Sequence, residues 1–208
     1  MNKLLIDRLV LGALQTNCYL LRREGSSAAA VIDPGDDVPA LDEAIARLAL
    51  HPEAVLLTHG HFDHLLGAHH IKEAYGAKVY IDKADAPALT EEKISLRPAD
   101  AVTPFEPTPP DGFLTEGEHE FAGIRFRVIP SPGHTMGGIC LLAEDDGVLF
   151  TGDTLFVNGF GRTDLYGGDW TQLYHSLKRL LALDGSLRVL PGHGEGSTLD
   201  AIKRGFHR

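Results

Sequence analysis

The segment Thr58-His59-Gly60-His61-Phe62-Asp63-His64 constrains the fold of this chain more than any other stretch. Three imidazoles and a carboxylate lie within six consecutive positions, and such side chains bind zinc, iron(II) or manganese. In an extended segment, His59, His61 and Asp63 lie on one side. If a helix begins near Asp63, its first turn would direct Asp63 and His64 toward a second ion. The segment therefore predicts either a site for one or two metal ions or, alternatively, a surface histidine cluster without function.

The composition narrows the class of protein. The chain has 208 residues, of which 43% are hydrophobic and 23% charged, as is ordinary for a soluble globular protein, and we expect one domain over residues 1–208. No apolar run approaches the roughly 20 residues of a membrane span. The net charge of −10 argues against partners such as nucleic acid or an anionic membrane, but two divalent ions would reverse the sign locally for an anionic substrate.

The N-terminal residues and the cysteines bear on the cellular compartment. Asp7 and Arg8 interrupt the apolar start of the chain, so no signal peptide is expected and the predicted location is cytoplasmic. Cys18 and Cys140 lie in apolar, strand-like surroundings, which predicts two buried free thiols.

The pattern of apolar residues predicts two similar halves. In the first half we expect strands at 4–10, 16–22, 28–32, 54–57 and 78–81, and helices from Val38 and over 65–75. A long surface loop follows over 90–112. In the second half we expect hairpins at 118–129 and 136–151, a helix with a capping box at Asp169, a strand at 188–190 and a terminal helix. Two such halves favour two sheets packed face to face with helices outside.

One pattern recurs four times along the chain. A short apolar strand ends in small or turn-forming residues, and a metal-binding side chain follows at once. The four side chains are His59, His134, Asp153 and His193. Rigid strands that deliver polar groups to one edge are how α/β proteins build sites, so we expect these four to converge.

These motifs resemble the metallo-β-lactamase superfamily, whose His-x-His-x-Asp-His motif stands here at 59–64. The resemblance spans nearly the whole chain and implies an α/β fold of the αβ/βα four-layer sandwich type. It implies that His59, His61 and His134 bind one ion, that Asp63, His64 and His193 bind another, and that Asp153 bridges the two.

Within that superfamily the sequence is most similar to glyoxalase II, the hydroxyacylglutathione hydrolases, and particularly to its small single-domain relatives. The similarity rests on Thr151–Phe156, on Gly161-Arg162-Thr163-Asp164 and on Pro191-Gly192-His193-Gly194. Arg162 matches the basic position that holds glutathione, but Asp164 stands where the family has tyrosine. Only fifteen residues follow His193, so we expect the family's C-terminal helical domain to be absent.

The resemblance implies a metal-dependent thioester hydrolase with two divalent ions, for which we expect zinc, with iron or manganese as alternatives. A binuclear site lowers the pKa of a bridging water to about 7. Asp63 and Asp153 are the expected catalytic carboxylates. A small-molecule thioester, glutathione-derived such as S-lactoylglutathione, is the expected substrate, and Arg162 and Tyr166 are its candidate contacts. Arg162 equally suits an ion pair with Asp164 or Asp169.

Three alternatives stay open. Persulfide dioxygenases share the fold and the ligands but use a single iron, and they commonly carry alanine where Gly192 stands, which favours the hydrolase. A lactonase or β-lactamase-type hydrolase is a second alternative, and a non-catalytic metal-binding module is the third. The remaining histidines are interpreted as surface or core residues, although His69 lies near enough in sequence to support the site from behind. They are His51, His69, His70, His119, His175 and His207.

Overall fold

The first half of the chain builds a six-stranded sheet in the computed structural model, which describes residues 2–206. Its strands, adjacent in space in this order, are β1 (Leu4–Leu11), β2 (Thr16–Arg23), β3 (Ala28–Ile32), β4 (His51–Leu56), β5 (Lys78–Ile81) and β6 (Gly112–Phe113). The first three strands are antiparallel, and β3 to β6 are parallel. The parallel crossovers contain α1 (Val38–Arg47), α2 (Phe62–Leu65) and α3 (Ala68–Tyr75).

The second half builds another six-stranded sheet. It contains β7 (Gly117–Phe121), β8 (Ile124–Pro130), β9 (Ile139–Ala143), β10 (Val148–Gly152), β13 (Arg188–Pro191) and β14 (Ser197–Thr198). A small hairpin, β11 (Leu155–Phe156) and β12 (Gly159–Phe160), follows β10 and precedes α4 (Trp170–Leu181). The helix α5 (Leu199–Phe206) follows β14.

Three apolar layers hold these elements together. Because side chains alternate across a strand, Tyr19 and Leu21 of β2 face the second sheet, where Tyr19 meets Phe150 edge-on at 5.2 Å. Cys18 and Leu20 face the other way and pack beneath α1 and α3. On the far side, Leu149 and its neighbours pack against α4 and α5. The order helix, sheet, sheet, helix is the αβ/βα four-layer sandwich that the sequence predicted.

Several sequence predictions were wrong in detail. The helix expected over 65–75 is broken at Leu66 and Gly67, because the amide of Gly67 donates to the carbonyl of Pro34 rather than continuing α2. The strand expected from 136 begins at Ile139. Asp169 does cap α4, but the Gln172 side chain donates to the Asp169 carboxylate and so does not complete a capping box.

The predictions for the cysteines and for the hairpin at 118–129 are confirmed by the described residues. Both cysteines are buried free thiols. The hairpin of β7 and β8 turns at Ala122 and Gly123, both at positive φ. No helix within residues 2–206 has the length and apolar character needed to cross a membrane. His207 lies outside the described residues.

Candidate metal centre

The ends of the central strands meet at one edge of the sandwich and carry the predicted ligands there. The loop after β4 carries His59 and His61, and α2 begins at Phe62, so Asp63 and His64 lie in its first turn. His134, Asp153 and His193 follow β8, β10 and β13. Backbone hydrogen bonds join the two sheets at this edge, from Ile139 to Thr58 at 2.9 Å and from Asn17 to Gly192 at 2.7 Å. The seven side chains therefore converge, and they include the four that the recurring strand-end pattern predicted to meet.

The donor atoms form two separate groups of three, and a third group, His59, His64 and Asp153, overlaps both. In the first, which comprises His59, His61 and His134, one ring nitrogen of each lies within 4.8 Å of the others. The second contains Asp63, His64 and His193 under the same limit. Asp153 lies between them, because its Oδ2 is 3.6 Å from Nε2 of His134 and 3.4 Å from Nε2 of His193. We call these seven side chains the His/Asp cluster.

His59 and His61 differ in pKa from His64 and His193. Burial, reinforced by the neighbouring imidazoles, lowers the pKa of His59 well below its ordinary value and that of His61 to about 4. Burial also opposes the charge on His64, but Asp63, Asp153 and Asp33 outweigh it and raise the pKa of His64 to about 9. His59 and His61 are thus neutral at pH 7, which is the form that binds metals.

The carboxylates stay ionised because protonated imidazoles surround them. Burial alone raises the pKa of Asp63 and of Asp153, yet His64 and His193 bring both below the ordinary value. In return, Asp153 and Asp63 overcome the effect of burial on His193 and raise its pKa to about 10. Two imidazolium groups therefore supply positive charge that divalent cations would replace, with release of protons.

Three of the imidazoles also contact a supporting oxygen atom through the ring nitrogen that faces away from the cluster. The Nδ1 atoms of His64, His134 and His193 lie 2.9 Å from Asp33 Oδ2, 2.7 Å from the Arg162 carbonyl oxygen and 3.1 Å from the Leu14 carbonyl oxygen, respectively. Contacts of this kind fix the ring orientation and tautomer of histidines that bind metals. Each Nε2 atom is thereby directed into the cluster.

The donors fit metal ions. Among the described residues, Nε2 of His134 and Oδ1 of Asp153 are buried and make no hydrogen bond. Buried polar atoms of proteins are nearly always paired, so imidazole and carboxylate atoms that share a buried cluster without a hydrogen bond fit a metal site.

Sequence reasoning missed two residues that support the cluster. Asp33 follows β3 directly, and it accepts hydrogen bonds from the amide and hydroxyl of Thr58 as well as facing His64. Its position after an apolar strand is the signal that marked Asp153. Thr16 donates to Asp63 Oδ2 at 2.7 Å, and no sequence pattern distinguishes it from other strand threonines.

The candidate substrate contacts lie at the rim. Arg162 is exposed and forms a two-bond ion pair with Asp164, with both distances 2.6 Å. Tyr166, 57% exposed, lines a hollow of about 20 Å³ beside His61. His69 contacts Thr108 instead of supporting the cluster.

Comparison with known proteins agrees with this geometry. The family profile described as the metallo-beta-lactamase superfamily matches residues 11–193. The chain belongs to the metallo-β-lactamase superfamily. Its members are metal-dependent hydrolases, and the His/Asp cluster is the metal-binding cluster of this fold.

Individual members of the superfamily cover almost the whole chain. The hydroxyacylglutathione hydrolase GloC of Haemophilus influenzae is 35% identical, over 96% of this chain and 95% of its own. The crystal structure of the BLEG-1 B3 metallo-beta-lactamase matches with a TM-score of 0.90 and 32% identity, over 96% of this chain and 97% of that one. The crystal structure of TTHA1623 in a di-iron-bound form matches with a TM-score of 0.86 and 37% identity, over 95% of this chain and 97% of that one.

Proposed function

We propose that this protein is a binuclear metal-dependent hydrolase that cleaves thioesters. The observation that carries the proposal is the position of Asp153, whose carboxylate lies between two complete sets of three donors. One set of three would hold one ion, the other set would hold the second, and Asp153 would contact both. The histidine and carboxylate donors suit zinc, which we propose, and also iron or manganese.

The bound ions and the protein would divide the work. Two divalent ions would supply a hydroxide nucleophile at neutral pH and polarise the substrate carbonyl. Asp63 would orient the attacking water by accepting its hydrogen bond, and the Thr16 hydroxyl keeps that carboxylate in place. Asp153, which lies between the two donor groups, would fix the separation of the two ion sites. An ordinary thiol has a pKa of about 8.5, so a thiolate leaves without a general acid.

The surroundings of the cluster support a substrate with two arms. The small hollow beside His61 lies on one side, and a larger hollow of about 190 Å³ lies beside Asp63, lined by Leu14, Phe62 and Val102 among others. A cavity of about 150 Å³ holds a benzene-sized group. A thioester carbonyl at the cluster would thus place one short and one longer arm in the two hollows.

Glutathione as the thiol carrier is supported by the GloC relative and depends in this chain on Arg162. Arg162 is paired with Asp164, but exposed ion pairs contribute little to stability, so a substrate carboxylate can displace Asp164. We propose that Arg162 makes this exchange and that Tyr166 lines the path to the cluster.

Metal analysis combined with a substrate panel tests the proposal. Protein purified without chelator should contain two ions per chain and hydrolyse S-lactoylglutathione, and Asp153→Ala should lose this activity. His70→Ala is the matched control, because His70 pairs with Asp42 outside the cluster. Fully active protein with a single iron that consumes oxygen with a persulfide would refute the hydrolase. Hydrolysis of a β-lactam but of no thioester would refute the substrate.

A further inference from the structure

Asp85 is a buried carboxylate outside the His/Asp cluster. It is 5% exposed and lies just before the 3₁₀ turn Ala86–Leu89. Its Oδ2 accepts a hydrogen bond from the amide of Gly60 at 2.9 Å, and its Oδ1 accepts one from the amide of Gly137 at 2.7 Å. Each carboxylate oxygen is therefore committed to one backbone amide.

The two amides belong to the two segments that carry the three-histidine group. Gly60 stands between His59 and His61, and Gly137 lies three residues after His134. The first segment extends from the first sheet and the second from the other sheet. Asp85 thus links, through one side chain, the two segments whose histidines must meet.

Both segments pack against the Asp85 turn without spare room. A Cβ atom added at Gly60 would lie 2.8 Å from Cβ of Ala88, and one added at Gly137 would lie 2.6 Å from the amide nitrogen of Asp85. Ordinary contacts of a Cβ atom are 3.4–4 Å. The turn therefore packs closely against both segments, and the Asp85 carboxylate sets the distance between them.

Asp36 provides a comparison within the same chain. It too is buried, and its two oxygens accept the amides of Val102 at 3.1 Å and Thr103 at 2.6 Å. Those amides belong to the loop after β5 and not to a segment that carries histidines of the cluster. Asp36 and Asp85 therefore make the same kind of contact with different consequences.

We propose that Asp85 is a positioning residue for the ion held by His59, His61 and His134. The inference rests on the proposed binuclear site. Replacing Asp85 with asparagine turns one acceptor into a donor that faces a backbone amide, so one of the two segments is released. Partners that orient metal ligands typically change metal affinity by about 10- to 100-fold when they are replaced.

Metal titration in two single-site backgrounds tests the assignment. His193→Ala keeps the three-histidine group, and His134→Ala keeps the other group. We expect Asp85→Asn to weaken zinc binding by about 10- to 100-fold in the His193→Ala background and by less than about threefold in the His134→Ala background, measured by chelator competition. Asp36→Asn should leave zinc affinity unchanged in both.

The outcomes separate this inference from the proposed function. Wild-type protein that binds no zinc would refute the proposed function, whereas wild-type protein with two ions and an Asp85→Asn variant with equal affinities would refute only this inference. Equal weakening in both backgrounds would also refute it, because a general structural role would act on both groups. If the variants do not fold, the hydrogen-exchange rates of the wild-type protein test the contact. Exchange of the Gly60 and Gly137 amides as fast as that of exposed loop amides would refute the hydrogen bonds to Asp85.

Discussion

Replacing Gly192 with alanine places a methyl group inside the His/Asp cluster. A Cβ atom built at Gly192 would overlap Oδ1 of Asp153 and lie 2.7 Å from Cε1 of His64. Neither neighbour can withdraw easily. His64 is fully buried and held by Asp33 at 2.9 Å, and Asp153 lies between the two donor groups.

The size of the effect follows from these distances. An ordinary Cβ contact is at least 3.4 Å, so the ring of His64 must move by about 0.7 Å, and the carboxylate of Asp153 must move as well. Distances between metals and ligands tolerate about 0.2 Å. We therefore expect Gly192→Ala to lower the affinity for the ion at Asp63, His64 and His193 by about 10- to 100-fold or more. This is the range found when residues that orient metal ligands are replaced.

Metal content and activity measure this effect together. After dialysis against a weak chelator, Gly192→Ala should retain about one ion per chain where the wild type retains two, and thioester hydrolysis should fall accordingly. Gly205→Ala is the matched control, because a Cβ atom there meets nothing within 4 Å. Since Gly205 lies in α5, its replacement should be neutral or stabilise the protein by up to about 1 kcal/mol. A Gly192→Ala protein with two ions at unchanged affinity would refute the reasoning.

Two further predictions concern the supports and the rim of the cluster. Asp33→Asn should weaken the binding of one ion by about 10- to 100-fold, because it removes the carboxylate that orients His64. Chelator competition measures this affinity. The control Asp42→Asn should leave the affinity unchanged, because Asp42 pairs with a histidine outside the cluster. Arg162→Ala should raise KM for S-lactoylglutathione by roughly 10-fold and spare a neutral thioester, whereas Asp164→Asn should lower the former KM by freeing the arginine. Equal effects on both substrates would make the arginine a purely structural partner of its aspartate.

Much of the fold could be predicted because its signals are local. Alternating and helical apolar patterns placed most strands and helices, and glycines at positive φ marked ends such as Gly76 after α3. The break at Leu66 and Gly67 could not be predicted in this way. It depends on the Pro34 carbonyl, more than thirty residues away, which accepts the amide that would have continued the helix.

The candidate site shows the same limit. Side chains such as His59 and Asp153 were found because ligand chemistry is rare and their position after a strand is regular. Asp85 and Thr16 carry no such signal, since Asp85 is defined by a contact across the two halves of the fold and Thr16 by a contact with Asp63, 47 residues further along the chain. Arg162 was placed near the cluster, but its pairing with Asp164 was one of two alternatives that sequence spacing left open.

The division of the His/Asp cluster between the two sheets has a consequence for folding. Nε2 of His64 and Nε2 of His193 lie 3.3 Å apart although 129 residues separate them along the chain. Neither half can offer a complete set of donors alone, so tight capture of ions must wait until the halves have docked. An ion held between His64 and His193 would then act as a cross-link closing a very long loop, as a disulfide does in secreted proteins. Loss of the ions would therefore speed the separation of the halves, and metal supply would set how long the folded chain lasts.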